Sequence, residues 1–198
     1  MPATADRSSN RVRFGCPRVR ALVVVLGSLF VLLPRWALSA AATPEYQVKA
    51  AFLFNFTQFV DWPAKELRDP QEPFVIGVLG DDPFGAMLDE IVHGETVNGR
   101  ALIVQRYRSV DDIGTCHVLF ISRSEAYHLE EILRRLKGRS ILTVSDMSGF
   151  ARNGGVIRFV TMANKIRLRI SLDAARSAGL TISSKLLRPA DLVNPGED

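Results

Sequence analysis

The pair Cys116-His117 is the part of the sequence that comes closest to a catalytic arrangement. An imidazole beside a thiol can lower the thiol pKa and generate a nucleophilic thiolate. The pair lies in the apolar segment CHVLFIS, which is typical of a buried strand. Because adjacent side chains on a strand point to opposite faces, the two groups would not meet. The sequence therefore favours a buried cysteine over a catalytic thiol.

Residues 77–85, GVLGDDPFG, follow a predicted strand and open a predicted helix. Backbone amides at such a position can bind phosphate. The spacing matches neither GxGxxG nor a P-loop, and Asp81 and Asp82 would repel a phosphate. The acidic pair is also similar to the pocket of a phosphoreceiver domain, but a later strand ends Ile121-Ser122-Arg123 without the required aspartate. We interpret the segment as turn glycines with an N-capping aspartate, and keep Gly80 as a candidate ligand contact.

Asp146 is the carboxylate best placed to line a pocket, because it directly follows a predicted strand and precedes a glycine-rich segment. Ligands of open α/β sheets bind beyond the carboxyl ends of the strands. Capping of a turn is the competing role for a lone carboxylate. The three histidines have no spacing suited to a metal site or a catalytic triad. Gly80 and Asp146 are therefore the candidate ligand-binding residues, and no catalytic residue, metal or cofactor is predicted.

The elements that must position these residues alternate between strand and helix. Strands are predicted over residues 74–79, 102–107, 116–121, 141–144 and 180–187, and helices over residues 44–60, 84–92, 125–137 and 173–178. In the third helix Tyr127 is predicted to face inward. Residues 156–160 and 166–170 are predicted to form a hairpin around residues 161–165. The pattern predicts an α/β fold, a three-layer Rossmann-like sandwich with a mostly parallel central sheet and a C-terminal β-hairpin.

The charge of the chain is concentrated at its start. The 198 residues carry a net charge of +4, yet residues 1–42 hold six of the 25 basic groups and one of the 21 acidic groups, which leaves a net −1. This Arg-rich start, the short apolar run over residues 21–33 and the small residues 39–42 predict a secretory signal peptide. We expect a signal peptide over residues 1–42, a single exported domain over residues 43–198, and no nucleic-acid partner.

Several segments together resemble one known family across most of residues 45–190. They are YQVKAAFLFNF (46–56), FVDWP (59–63), IGVLGDDPFG (76–85), CHVLFIS (116–122), LTVSD (142–146), GGVIRF (154–159) and SSKLL (183–187). The chain is identified by these segments as a member of the YfiR family of bacterial periplasmic regulatory proteins. The resemblance implies a repressor without enzymatic activity. It would bind the periplasmic sensor domain of an inner-membrane diguanylate cyclase and so control cyclic-di-GMP, with relief by an outer-membrane lipoprotein and with homodimer formation.

Two other functions stay open beside the repressor. The first is a small-molecule or envelope-stress sensor, whose ligand would occupy the crevice near Gly80 and Asp146 and which would act on another membrane receptor. The second is an unrecognised enzyme. An adjacent gene for a membrane cyclase would favour the repressor, whereas a transporter or receptor gene would favour the sensor.

A partner-facing surface is expected around residues 156–170 and nearby exposed aromatic side chains. The second hairpin strand alternates apolar residues with arginine, so that one of its faces is solvated. The competing role of these arginines is to keep an edge strand soluble. The candidate partner-binding residues are Trp62, Phe150, Ile157, Arg167 and Arg169.

Overall fold

The computed structural model describes residues 43–67 and 69–193, and the predicted signal peptide lies outside these residues. Five α-helices are present in the described part: α1 (Pro44–Phe59), α2 (Ala86–Val92), α3 (Leu129–Leu136), α4 (Leu172–Ser177) and α5 (Ser184–Leu187). The strands are β1 (Val60–Asp61), β2 (Phe74–Leu79), β3 (Thr96–Val97), β4 (Arg100–Tyr107), β5 (Val118–Ile121), β6 (Leu142–Ser145), β7 (Ile157–Met162), β8 (Lys165–Ile170), β9 (Thr181–Ile182) and β10 (Asp191–Leu192). Short 3₁₀ helices cover Ala64–Leu67, Val110–Asp112 and Arg123–His128.

The architecture is a mixed α/β fold built on an eight-stranded, mostly parallel sheet. The strand order is β10-β8-β7-β6-β5-β2-β4-β3. Only the pairs β7–β8 and β3–β4 run antiparallel, and β1 and β9 form a separate antiparallel pair. Every residue of β2, β5 and β6 is buried, as expected for parallel strands covered on both faces.

Two apolar cores lie on opposite faces of this sheet. The α1-side core contains Ile76 and Phe120, and the α3-side core contains Leu79 and Leu119. Alternate side chains of one strand enter different cores because a strand points successive residues to opposite faces. None of the helices in the described residues is long and apolar enough to cross a membrane.

Helix α1 lies against the first of these cores along most of its length. Pro44 occupies its first turn, where the missing amide hydrogen costs nothing, and Glu45 lies at the positive end of the helix dipole. Further along, Phe56 stacks on Phe159 of β7 with ring centroids 5.9 Å apart. This contact fixes the C-terminal part of α1 against β7.

Two sequence-based predictions, one for residues 184–187 and one for Tyr127, are wrong. Residues 184–187 were predicted as part of a strand but form α5, because the Ser183 side chain accepts a hydrogen bond from the Lys185 amide and caps a helix. Tyr127 was predicted to face inward but is 99% exposed. It belongs to a 3₁₀ segment with three residues per turn, which moves it off the apolar stripe of α3.

His117 connects the amino-terminal ends of β2 and β5. Its Nδ1 accepts the Val75 amide hydrogen at 3.0 Å, and its ring stacks on Phe74 at 4.1 Å. Its carbonyl accepts the indole Nε1–H of Trp62 at 3.2 Å. Burial lowers the pKa of His117, and the nearby Arg100 guanidinium lowers it further against a small opposing effect of Glu66. His117 is therefore neutral in the folded protein at neutral pH.

We predict that His117 makes the folded protein less stable in mild acid. An unfolded histidine has a pKa of about 6.5, so the unfolded chain takes up this proton first and stability falls as the pH drops below that value. The loss at pH 5.5 should not exceed about 1.4 kcal/mol for this one group. Urea unfolding at pH 7.5 and 5.5 measures it.

In that experiment His117→Asn should remove most of the difference between the two pH values, because an amide oxygen can accept the Val75 hydrogen without titrating. His93→Asn is the matched control, since His93 is exposed. An unchanged pH dependence of stability in His117→Asn would contradict the assignment of this acid sensitivity to His117.

Candidate functional site

Asp146 lies at the carboxyl end of β6 and is 5% exposed. Three side chains donate hydrogen bonds to its carboxylate. Lys49 Nζ and Tyr46 Oη contact Oδ2 at 2.5 and 2.9 Å, and Arg123 Nε contacts Oδ1 at 2.9 Å. A buried carboxylate with this many donors is satisfied as an anion.

Helix α1 supplies two of these donors from one of its faces. Tyr46 and Lys49 are three residues apart, and Lys49 is fully buried. The Lys49 ammonium also contacts Glu45 Oε1 at 2.6 Å and lies 4.3 Å from the centre of the Tyr46 ring. Glu45 in turn accepts a hydrogen bond from Thr161 Oγ1 of β7 at 2.9 Å.

We call the five residues Glu45, Tyr46, Lys49, Arg123 and Asp146 the charge network. It contains two carboxylates and two cations, so its formal charge is balanced. Burying an ion pair costs several kcal/mol per ion unless the partners satisfy each other, and both Lys49 and Asp146 meet that condition. The charge network therefore joins α1, β6 and the segment after β5 at the carboxyl edge of the sheet.

Three groups of the charge network have pKa values that are shifted further from neutral pH. Burial by itself raises the pKa of Asp146, but the hydrogen bonds and charge of Lys49, with Tyr46 and Arg123, outweigh it and hold the pKa below its ordinary value. Burial, followed by the hydrogen bond to Asp146, raises the pKa of Tyr46 to about 12. The hydrogen bond from Lys49 lowers the pKa of Glu45. A general acid or base works best when its pKa is near the ambient pH. The pKa values of these three groups are shifted away from neutral pH, so the groups suit a fixed electrostatic connection rather than proton transfer.

A cavity of about 620 Å³ lies beside the charge network. We call it the Asp146 cavity; it is lined by Arg123, Ala126, Tyr127, Leu129, Glu130, Asp146, Met147, Ser148 and Asn153. Its volume falls in the usual range for small-molecule sites. The exposed Tyr127 lies on its rim, and the Arg123 side chain is 65% exposed. Arg123 can therefore meet a ligand without leaving the charge network, whereas the Asp146 side chain is only 2% exposed.

The two candidate ligand-binding residues lie on opposite sides of the segment that follows β5. Asp146 lines the cavity, whereas Gly80 is not among its lining residues. Gly80 has a φ of +85°, and a Cβ atom there would collide with Ser124 Oγ and the Glu125 side chain. The positive φ and the close packing explain why position 80 is a glycine.

Three of the five candidate partner-binding residues lie inside the protein, so the prediction that they lie on the surface is wrong. Trp62 is 8% exposed, and Phe150 and Ile157 are fully buried. Phe150 packs directly on Gly155, where a Cβ atom would overlap its ring. In the sequence these residues lie next to turn residues, a position that predicts exposure. In the folded protein, tertiary contacts bury their side chains.

The two arginines of β8 do reach the surface. Arg167 is exposed and Arg169 is half-buried. The register pairs Arg158 with Arg169, Val160 with Arg167 and Met162 with Lys165. Paired residues share a face of the sheet. We call this surface, with Arg158, Lys165, Arg167 and Arg169, the basic hairpin face.

Cys116 is buried, as the sequence predicted, and its thiol hydrogen bonds to the Val118 carbonyl at 3.3 Å. Burial raises the pKa of the Cys116 thiol to about 12. A thiol with such a pKa is not a nucleophile at neutral pH.

Lys49, Tyr46 and Arg123 were not recognised from the sequence as members of a site. The sequence places Tyr46 among the apolar residues of the predicted helix over residues 44–60, and no role is predicted for Lys49. The available signal was its spacing, because Lys49 lies four and seven residues before the buried Leu53 and Phe56. A lysine on a buried helix face implies a carboxylate partner from another element.

The chain belongs to the YfiR/HmsC-like family, whose profile matches residues 46–191. This membership agrees with the resemblance drawn from the sequence. No curated protein matches the chain. A crystal structure of a conserved domain protein from Vibrio cholerae O1 biovar El Tor str. N16961 aligns with a TM-score of 0.49 and 12% identity, over 78% of this chain and 61% of that one. The present chain thus spans about three fifths of the length of that protein.

We predict that Lys49→Met destabilises the protein by roughly 3 to 5 kcal/mol, because it leaves two carboxylates, one of them buried, without their ammonium partner. Urea unfolding at pH 7.5 measures the loss. Adding Asp146→Asn to this variant should recover part of it, since the uncompensated buried charge is then removed.

The matched control is Asp173→Asn, which breaks an exposed pair with Arg176 and should leave the unfolding midpoint within experimental error. If Lys49→Met behaved like this control, the charge network would not be a determinant of the fold.

Proposed function

We propose that the protein is a periplasmic repressor that binds the sensor domain of an inner-membrane diguanylate cyclase and holds the cyclase inactive. The family match over residues 46–191 is the observation that carries this proposal. The proposal includes export by a signal peptide over residues 1–42, a single domain over residues 43–198 with a three-layer Rossmann-like arrangement and C-terminal hairpin, and a homodimer. An outer-membrane lipoprotein would relieve repression by sequestering the protein.

A regulatory role rather than a catalytic one is supported by the chemistry of the charge network. Asp146 is occupied by three donors, and Tyr46 retains its proton at neutral pH. The Cys116 thiol is buried and protonated. These groups therefore lack the accessibility or the protonation state that nucleophilic or acid–base catalysis requires.

We propose the basic hairpin face as the surface that meets the cyclase. It displays positively charged groups beside the exposed Met162, whose relative exposure is 55%. A patch of arginine next to apolar surface is a frequent feature of protein interfaces. The complementary surface on the sensor domain would carry acidic side chains, which also speeds the encounter of the two proteins.

A ligand sensor is the second candidate function, and the Asp146 cavity is the observation that favours it. The cavity beside Asp146 combines the exposed Tyr127 ring with Arg123 and the exposed Glu130, which offers a stacking surface and both signs of charge. Such a sensor would act on another membrane receptor.

The repressor proposal predicts that deleting the gene raises cyclic-di-GMP in the cell and that crosslinking of the tagged protein captures a cyclase. Wild-type protein should restore the low level. Arg167→Glu should restore it poorly, because a reversed charge in the interface lowers the affinity for an acidic partner by about tenfold or more.

Arg108→Glu is the matched control for Arg167→Glu. Arg108 is exposed after β4, and β4 lies five strand positions from β8, about 24 Å across the sheet. An unchanged cyclic-di-GMP level on deletion, with no captured cyclase, would exclude the repressor and favour the sensor. Full activity of Arg167→Glu would exclude only Arg167 from the interface.

A further inference from the structure

A second cavity, of about 480 Å³, lies between the end of α3, the segment over residues 151–156 and α4. We call it the α3–α4 cavity. Much of its wall is aliphatic, formed by Leu133, Leu136, Ile141, Val156, Ala174 and Ala178. Aliphatic walls favour a ligand with an apolar body, and the volume is that of a small-molecule site.

The rim of the α3–α4 cavity carries more positive than negative charge. The cations are Arg134, Lys137, Arg139 and Arg152, and the acids are Glu130 and Asp173. Asp173 is already paired with Arg176 at 2.8 Å, and Arg134 with Glu131. Within residues 43–67 and 69–193, Lys137 and Arg152 form neither an ion pair nor a side-chain hydrogen bond. These two cations are available to an anionic ligand.

The α3–α4 cavity is separate from the charge network. Glu130 and Asn153 line both cavities, but Asp146 and Arg123 line only the Asp146 cavity. Of the rim cations, Arg134 lies on α3 and Lys137, Arg139 and Arg152 lie after it in the chain. A ligand here would touch neither the charge network nor the basic hairpin face.

We propose that the α3–α4 cavity binds a small amphiphilic anion, a free carboxylate or phosphate monoester with an apolar body. The apolar body packs against Leu133, Leu136 and Val156, and the anionic head contacts Lys137 and Arg152. A wholly polar anion would leave the aliphatic wall exposed to water, whereas a neutral apolar molecule would not use the two cations.

The test uses three probes with unbranched alkyl chains of nine or ten carbons and different head groups. Decanoate and decyltrimethylammonium, each below its micelle concentration, and decanol, below its solubility limit, are titrated into the purified protein expressed from its full-length gene. Isothermal calorimetry should show one decanoate bound per chain, with an affinity about tenfold or more above that for decyltrimethylammonium.

Charge-reversing variants assign the site. Lys137→Glu combined with Arg152→Glu should lower the decanoate affinity by about tenfold or more and leave decanol binding unchanged. Arg108→Glu combined with Lys185→Glu changes the net charge equally at exposed positions outside the α3–α4 cavity and should have little effect.

Three results would overturn the proposal: equal affinity for the anionic and cationic probes, equal loss in both double variants, or loss of decanoate binding in Ala126→Trp. Ala126 lines the Asp146 cavity, so the last result would assign the ligand to that site instead. Because no membrane partner enters the measurement, it is independent of the test for cyclase repression.

Discussion

The contact between Lys49 and Asp146 removes two full charges from water, and the surrounding structure must satisfy both of them. The pair joins residues 97 positions apart in the chain, at a distance of 2.5 Å. An isolated buried charge would cost several kcal/mol, which is a large share of the folding free energy of a small domain. Each partner therefore needs its other contacts, Glu45 for the ammonium and Tyr46 with Arg123 for the carboxylate. These contacts hold the start of α1 over the end of β6 with little freedom to shift.

The same contacts link the Asp146 cavity to β7 through Thr161, on the sheet face opposite the basic hairpin face. Arg123 and Asp146 line the Asp146 cavity, and Glu45 reaches Thr161 at the outer end of β7. A ligand that pulls Arg123 away would remove one of the three donors from Asp146. The charge balance around Lys49 and Glu45 would then change beside the hairpin. This chain of contacts gives a physical route by which occupancy of the cavity can bias the packing of α1 against β7.

The sequence was informative where local pattern alone determines the structure. The continuous apolar runs identified β2 and β5 because parallel strands are buried on both faces. Asp146 was recognised from its place after a strand. The partners of Asp146 could not be predicted, since Lys49 and Arg123 reach it from elements 97 and 23 residues away. Phe150 appeared to be a loop aromatic, and only its packing on Gly155 makes it a core residue.

Local charge matters more than net charge for the binding behaviour of this chain. Residues 43–198 are close to neutral, and charges further apart than about 8 Å are screened at physiological ionic strength. The charges of the basic hairpin face therefore act within this screening distance, on a surface that contacts the face directly. It lies on β7 and β8 near a sheet edge covered only by the two residues of β10. Two copies of the chain that met through this face would repel each other, whereas an acidic partner would be attracted. Keeping an edge strand soluble and attracting an acidic partner are thus compatible effects of the same charges, and a homodimer formed through this face would have to overcome their repulsion.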